Sequence, residues 1–135
     1  MAASVLVDAG FLVALLSRRD RHHRWAVAAA VRRPPPWHTC EAALSEAFHL
    51  LGGRGGPALS ELLRRRVLTV AFDLDTQVDA VSRLMDKYRK VPASLADAVL
   101  VRMTEILDDV VVLTTDADFR IYRRHGRQLV PAEYP

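Results

Sequence analysis

Cysteine is almost missing from this chain. Cys40 stands alone, so no intramolecular disulfide and no cysteine zinc site can form, and its apolar neighbours suit a packed helix start better than a nucleophile. Lysine is nearly as scarce, with Lys87 and Lys90 the only two among 19 basic residues. Long apolar runs are absent too, every one stopping well short of the ~20 residues a bilayer span needs. The stretch MAASVLVDAG shows no basic leader followed by an apolar signal core and runs straight into a strand-like segment, so a cytoplasmic protein without a membrane part is expected. There is neither an internal repeat nor a low-complexity linker.

What is present fits one folded domain over residues 1–135, a length that buries most apolar surface without staples. Half the residues are hydrophobic and 26% are charged, a balance that excludes a disordered tail. The net charge is only +3, but the basic residues are nearly all arginine, whose planar fork suits phosphate. Two clusters, SRRDRHHR at 17–24 and RIYRRHGR at 120–127, would raise the local potential for a polyanion. Solvated helix faces are the plain alternative for each.

Periodicity divides the chain into alternating elements. SVLV (4–7) is β-prone and stops at Asp8, after which GFLVALLSRR is helical. HHRWAVAAAVRR (22–33) is a second helix ended by Pro34, Pro35 and Pro36, since proline cannot continue the backbone ladder. An extended piece at Trp37 and His38 leads into CEAALSEAFHLL (40–51), whose apolar residues recur at three-and-four spacing. GGRGGP (52–57) is expected to break that helix, with ALSELLRRR as the next and VLTVAF (67–72) as a strand. TQVDAVSRLMDKYRK and SLADAVLVRMTEIL supply two further helices split by Val91 and Pro92. DVVVLT (109–114) is the most strand-like run, followed by a short helix around DFRIYRR and a last edge strand near QLV. Strands alternating with helices predict a three-layer α/β sheet, mainly parallel. In such sheets ligands bind beyond the carboxyl ends of the strands. Asp8 and Asp116 both sit just past a strand and would meet there if their strands are neighbours.

Each acid has a plain reading beside a functional one. Asp8 suits a helix N-cap. Ser94 and Asp97 have capping-box spacing, although an acid so deep in the apolar SLADAVLV wants a partner. Thr115 and Asp118 have that spacing as well, which explains Asp118 and leaves Asp116 unexplained. Glu46 and Glu41 both lie off the apolar stripe of their helix, and periodicity does not choose between them. Collected in one pocket, these acids could not stay ionised unaided: two like charges ~4 Å apart repel by ~4 kcal/mol at an effective dielectric near ~20. They would protonate or bind a cation. Oxygen ligands without His or Cys at metal spacing favour magnesium or manganese over zinc. Such an ion beside arginine-rich surfaces points to phosphodiester chemistry.

In the order VLVDAGFLVALL, TCEAALSEAFHLL, SLADAVLVRM and VLTTDADFRIYRR, the chain resembles the PIN-domain ribonucleases, and especially the VapC-type toxins of bacterial toxin–antitoxin pairs. The resemblance covers essentially the whole chain and implies a single PIN-like α/β/α domain. It implies catalytic acids at Asp8, Glu46, Asp97 and Asp116, preferring Glu46 over Glu41, and Mg²⁺, or Mn²⁺ in its place, on Asp8, Asp97 and Asp116 with Asp118 as auxiliary. Activated water would then cleave RNA. Thr114 or Thr115 would hydrogen-bond a ligand beside the site, while Arg120, Arg123 and Arg124 of the second arginine cluster would bind RNA. A small antitoxin and a toxin homodimer are the implied partners. Two positions depart from the family pattern: Gly10 replaces a frequent Ser or Thr, and Ser94 replaces a frequent acid. A weakened second metal position, one-metal catalysis or metal recruited with substrate follows from those losses. A non-catalytic PIN-like module binding RNA or protein is the competing reading. A receiver-like phosphoacceptor domain is disfavoured, since that fold wants an acidic pair after the first strand and a lysine after the last principal strand, whereas this chain offers one acid, Asp8, and no lysine after Lys90.

Overall fold

A computed structural model describes residues 3–135. Five short strands, β1 (Ser4–Val7), β2 (Trp37–Thr39), β3 (Leu68–Val70), β4 (Val110–Leu113) and β7 (Ala132–Glu133), form one sheet in the order β3-β2-β1-β4-β7. Every pairing in it is parallel. The strands reach it through α1 (Ala9–Leu16), α2 (His23–Arg32), α3 (Glu41–Arg64), α4 (Val78–Lys87) and α5 (Leu95–Ile106).

The two-residue period of a strand splits the core in two. Val5 and Val7 of β1, with Val111 and Leu113 of β4, pack against α1, α2 and α3; Leu6, Val110 and Val112 turn the other way, towards α4 and α5. A sheet covered on both faces has no polar side, which is why β1 and β4 read as continuous apolar runs. Aromatic rings seal each side. Phe11 meets Trp25 and Trp37 edge-on at 6.0 and 5.3 Å, and Tyr122 meets Tyr88 and Phe119 at 5.0 and 5.2 Å. Among the described residues no helix is long and apolar enough to cross a membrane.

Three expectations are corrected. GGRGGP interrupts α3 only at Gly52, whose φ of 62° is left-handed; helix resumes at once through the remaining glycines. Pro57 sits five residues beyond that break, in the second turn of the resumed helix. The helix around DFRIYRR is a single tight turn, Ala117–Arg120. Beyond it, β5 (Arg123–Arg124) and β6 (Gln128–Leu129) pair antiparallel as a separate hairpin. QLV is therefore not the sheet's edge. That place belongs to β7, which pairs parallel with β4 and is tied to the end of α2 by Arg32 and Arg33 on Glu133, at 3.3 and 2.7 Å.

Candidate functional site

Strands β1 and β4 are neighbours in register, Val7 beside Leu113, so the residues following them emerge together. Asp8 is 6% exposed and is pinned at both oxygens: Oδ1 accepts from the Ala9 N–H at 2.7 Å, capping α1, and Oδ2 accepts from the Thr114 hydroxyl at 3.0 Å. Thr114 Oγ1 in turn accepts from the Asp116 N–H at 2.9 Å. On the other flank of β1, Thr39 of β2 donates to the Val7 carbonyl at 2.7 Å. Thr39 on β2 thus fixes the backbone before Asp8, and Thr114, just past β4, fixes its carboxylate.

Asp97 opens α5, and its capping box with Ser94 is formed: the Asp97 N–H donates to Ser94 Oγ at 3.0 Å and the Ser94 N–H to Asp97 Oδ2 at 3.1 Å. The buried Tyr122 hydroxyl donates to the same Oδ2 at 3.0 Å. Burial first, and then the Asp97 charge, raise the Tyr122 pKa, so the phenol remains a donor. No protein donor among the described residues reaches Asp97 Oδ1. Asp97 therefore has both a capping role and a free oxygen.

One open pocket of about 400 Å³ gathers these groups. Asp8, Glu46, Asp97 and Asp116 line it, with Gly10, Val13, Leu50, Ser94 and Thr115, and no basic side chain does. Burial pushes the Asp8 carboxyl up to about 7, against the opposing Ala9 and Thr114 hydrogen bonds, and the charges of Asp97 and Glu46 add to the rise. Asp97 is raised too, by burial and by Asp116. Glu46 and Glu41, equivalent on the helical wheel, are separated: Glu41 borders a different pocket beside Phe72 and Leu74.

A fifth acid, Asp20, also lines the pocket. Sequence reading missed it because it sits inside SRRDRHHR and looks like an interruption of a basic run; an acid at that point, one helix length after Asp8, was the available signal. Cys40 is buried at the start of α3, and burial lifts its thiol to about 11, which removes it as a nucleophile.

Several candidate positions fall elsewhere. Asp116, not Thr115, caps the turn at Ala117–Arg120, accepting from the Asp118 N–H at 2.8 Å. The capping expectation is thus corrected, since Asp116 has the local structural reason expected of Asp118; Asp118 does not line the pocket. Thr114 is fully buried as the brace just described, leaving Thr115 as the pocket hydroxyl. Arg124 is 8% exposed and donates to the Thr104 and Leu107 carbonyls at the end of α5. It caps that helix end, so its guanidinium is engaged within the fold. Arg123 is turned back onto the Arg120, Ile121 and Tyr122 carbonyls. Arg120 is exposed, 4.5 Å over the Tyr134 ring.

Gly10, one of the two departures from the family pattern, has a steric reason. A Cβ there would lie 2.0 Å from Thr115 Oγ1, so the hydroxyl of Thr115 occupies the space a side chain at position 10 would take.

The donor set is all carboxylate and hydroxyl oxygen, a chemistry that suits a hard divalent cation. Among the described residues no three His, Cys, Asp or Glu side chains converge closely enough to chelate an ion as they stand. Chelation requires the side chains to draw in.

A family model, that of the PIN domain, matches residues 5–124. No curated protein matches the sequence. Among solved structures the fold is similar to that of Mycobacterium tuberculosis VapC20, described as a sarcin–ricin-loop-cleaving toxin, with a TM-score of 0.73 and 23% identity over 85% of this chain and 92% of that one. At that identity the likeness is one of fold.

Proposed function

The chain belongs to the PIN domain family, and from that premise we propose that it is a divalent-metal-dependent endoribonuclease, the toxin of a toxin–antitoxin pair. In this reading residues 1–135 act as one domain in the cytoplasm. The observation that carries it is the convergence of Asp8, Glu46, Asp97 and Asp116, from four separate elements, on one pocket that no basic side chain lines. The fold shared with a toxin that cleaves the sarcin–ricin loop supports RNA as the substrate.

Asp8, Asp97 and Asp116 would hold Mg²⁺, with Mn²⁺ as a substitute. When bound, such an ion supplies positive charge against the scissile phosphate and acidifies a water. The protein's own contribution is positioning. Thr114 and the Ala9 N–H orient Asp8; Tyr122 and the Ser94 N–H hold Asp97 by Oδ2 and leave Oδ1 for a ligand; the Asp118 N–H holds Asp116 by Oδ1 and leaves Oδ2. Glu46 is exposed and makes no protein hydrogen bond among the described residues, so it is the acid free to accept a proton from the attacking water.

Purified protein should cleave single-stranded or looped RNA in Mg²⁺ or Mn²⁺, lose that activity in chelator, and lose at least about 100-fold of it in Asp97→Asn. Full activity in chelator, or equal cleavage by the variant, would overturn the metal mechanism. The second reading, a non-catalytic module, is favoured by the spacing of the acids, which share a pocket but, among the described residues, bring no three side chains close enough to chelate an ion as they stand; it predicts RNA binding with no cleavage in any divalent ion. The toxin role further implies a small antitoxin covering the acidic pocket, and a homodimer. Growth arrest on expression, relieved by one co-expressed partner, supports that role, and its absence removes the word toxin.

A further inference from the structure

An acidic pocket poses a problem for a polyanion. Five carboxylates line it, counting Asp20, and they repel a phosphate strand unless cations at the rim draw it in. In the second arginine cluster Arg123 and Arg124 are spent on backbone carbonyls and Arg120 lies over the Tyr134 ring, and none of its arginines lines the pocket. At the ends of α2 and α3, Arg33 is bound to Glu133 and Arg64 and Arg65 to Glu61.

The loop between α1 and α2 is different. Gly10 and Val13 on α1 and Asp20 beyond it all line the pocket, so the loop stands at the rim. Arg18, Arg19 and Arg21 flank Asp20 and are exposed. Neither Arg18 nor Arg19 has a carboxylate or carbonyl partner among the described residues. The loop is also held rigidly: the Ser17 N–H donates to the Val13 carbonyl, the Asp20 N–H to the Ser17 carbonyl and the His22 N–H to Asp20 Oδ1, at 2.9, 3.1 and 2.8 Å. His23 anchors its far end through Nδ1 on the Ala14 carbonyl at 2.8 Å. Asp20 thus folds the loop inward and leaves the arginines outward. A fixed loop with free guanidinium groups binds phosphate with little further ordering.

Resting on the reading of this pocket as an RNA-cleaving site, we infer that the α1–α2 loop, through Arg18 and Arg19 with Arg21 beside them, is the surface that grips the RNA backbone as it enters the acidic pocket. These are positioning residues, and their effect lies in binding.

The test compares two charge-matched variants, Arg18→Gln/Arg19→Gln and Arg64→Gln/Arg65→Gln, each in the full chain carrying Asp97→Asn so that the RNA survives. Binding of a fluorescently labelled, unstructured RNA is followed by anisotropy across a salt series in magnesium. The loop variant should bind at least about fivefold more weakly near ~0.1 M salt, and its log–log salt slope should shrink by about 1.4, at ~0.7 for each single-strand phosphate no longer neutralised. The α3 variant should change the slope by less than about 0.3. Equal slopes for the two variants would overturn the inference, as would no measurable binding before either change. Cleavage by the chain with its acids intact is scored separately. A slope that falls in the loop variant without cleavage supports the surface and rejects the nuclease; acid-dependent cleavage with an unchanged slope does the reverse.

Discussion

Glu133 and Asp8 are both partly or wholly buried carboxylates near the sheet, and they have opposite surroundings. Burial pushes the Glu133 carboxyl up, but Arg33 and Arg32 outweigh it and hold its pKa below the ordinary value. Glu61, exposed on α3, is likewise lowered by Arg65 and Arg64. Asp8 and Asp97 have no arginine, and burial and neighbouring acids raise both. Cations are not in short supply in a chain with 19 basic residues. The acids at the carboxyl end of β1 and β4 are therefore left without a protein cation, and ionising them costs the fold stability.

Asp8→Asn should have the largest effect on this difference. A folded pKa of about 7 against an ordinary 3.8 means that native Asp8 stays protonated while the unfolded chain ionises. Its contribution to stability is therefore fully present below about pH 4 and is lost as pH rises through about 7. At ~1.4 kcal/mol for each pH unit of that gap, the loss reaches on the order of 4 kcal/mol. Without divalent ions, wild type should melt progressively below Asp8→Asn between pH 4 and 8, and magnesium should raise the wild-type melting temperature more than the variant's. Parallel melting curves across that range would show that Asp8 and Glu133 do not differ in this way.

Gly10→Ala probes the pocket wall. The added Cβ meets Thr115 Oγ1 at 2.0 Å, so we expect a loss of about 1–3 kcal/mol in denaturant unfolding, largely recovered in Gly10→Ala/Thr115→Ala. Strict additivity of the two changes would show that this clash is not the cause. Glu133→Gln should have the smallest effect, at most about 1 kcal/mol because its arginines are half exposed and screened. Its sign is opposite to that of Asp8: a lowered pKa stabilises above the unfolded value, so wild type and variant should converge as pH falls below about 4. A Glu133→Gln protein more stable than wild type at pH 7 would contradict the pairing.

Local pattern was enough for much of this. The short continuous apolar runs located β1 and β4, the three prolines ended α2, and Ser94–Asp97 was legible as a capping box because its partners are three residues apart. Asp97 also stood out, since an acid among small apolar neighbours requires a partner, although that partner, Tyr122, lies 25 residues on. Glu46 and Glu41 were equivalent until α3 was docked, because a helical wheel gives a direction and not a destination. The two arginine clusters look alike in composition, yet Arg123 and Arg124 of one are turned onto backbone carbonyls while Arg18 and Arg19 of the other face solvent. QLV and GGRGGP misled for a related reason: strand and breaker propensities are weak beside the pairing and packing that finally use them.

The α/β alternation, the parallel sheet and the four acidic blocks were all present in the chain before folding, because hydrophobic period and short-range capping are written in neighbouring residues. Tertiary structure was needed to establish that Asp8 and Asp116 emerge side by side, that Asp20 joins them and Asp118 does not, and which arginines are free. Those outcomes depend on strand order and helix docking, which bring together groups as much as 106 residues apart, as in the Thr114–Asp8 hydrogen bond.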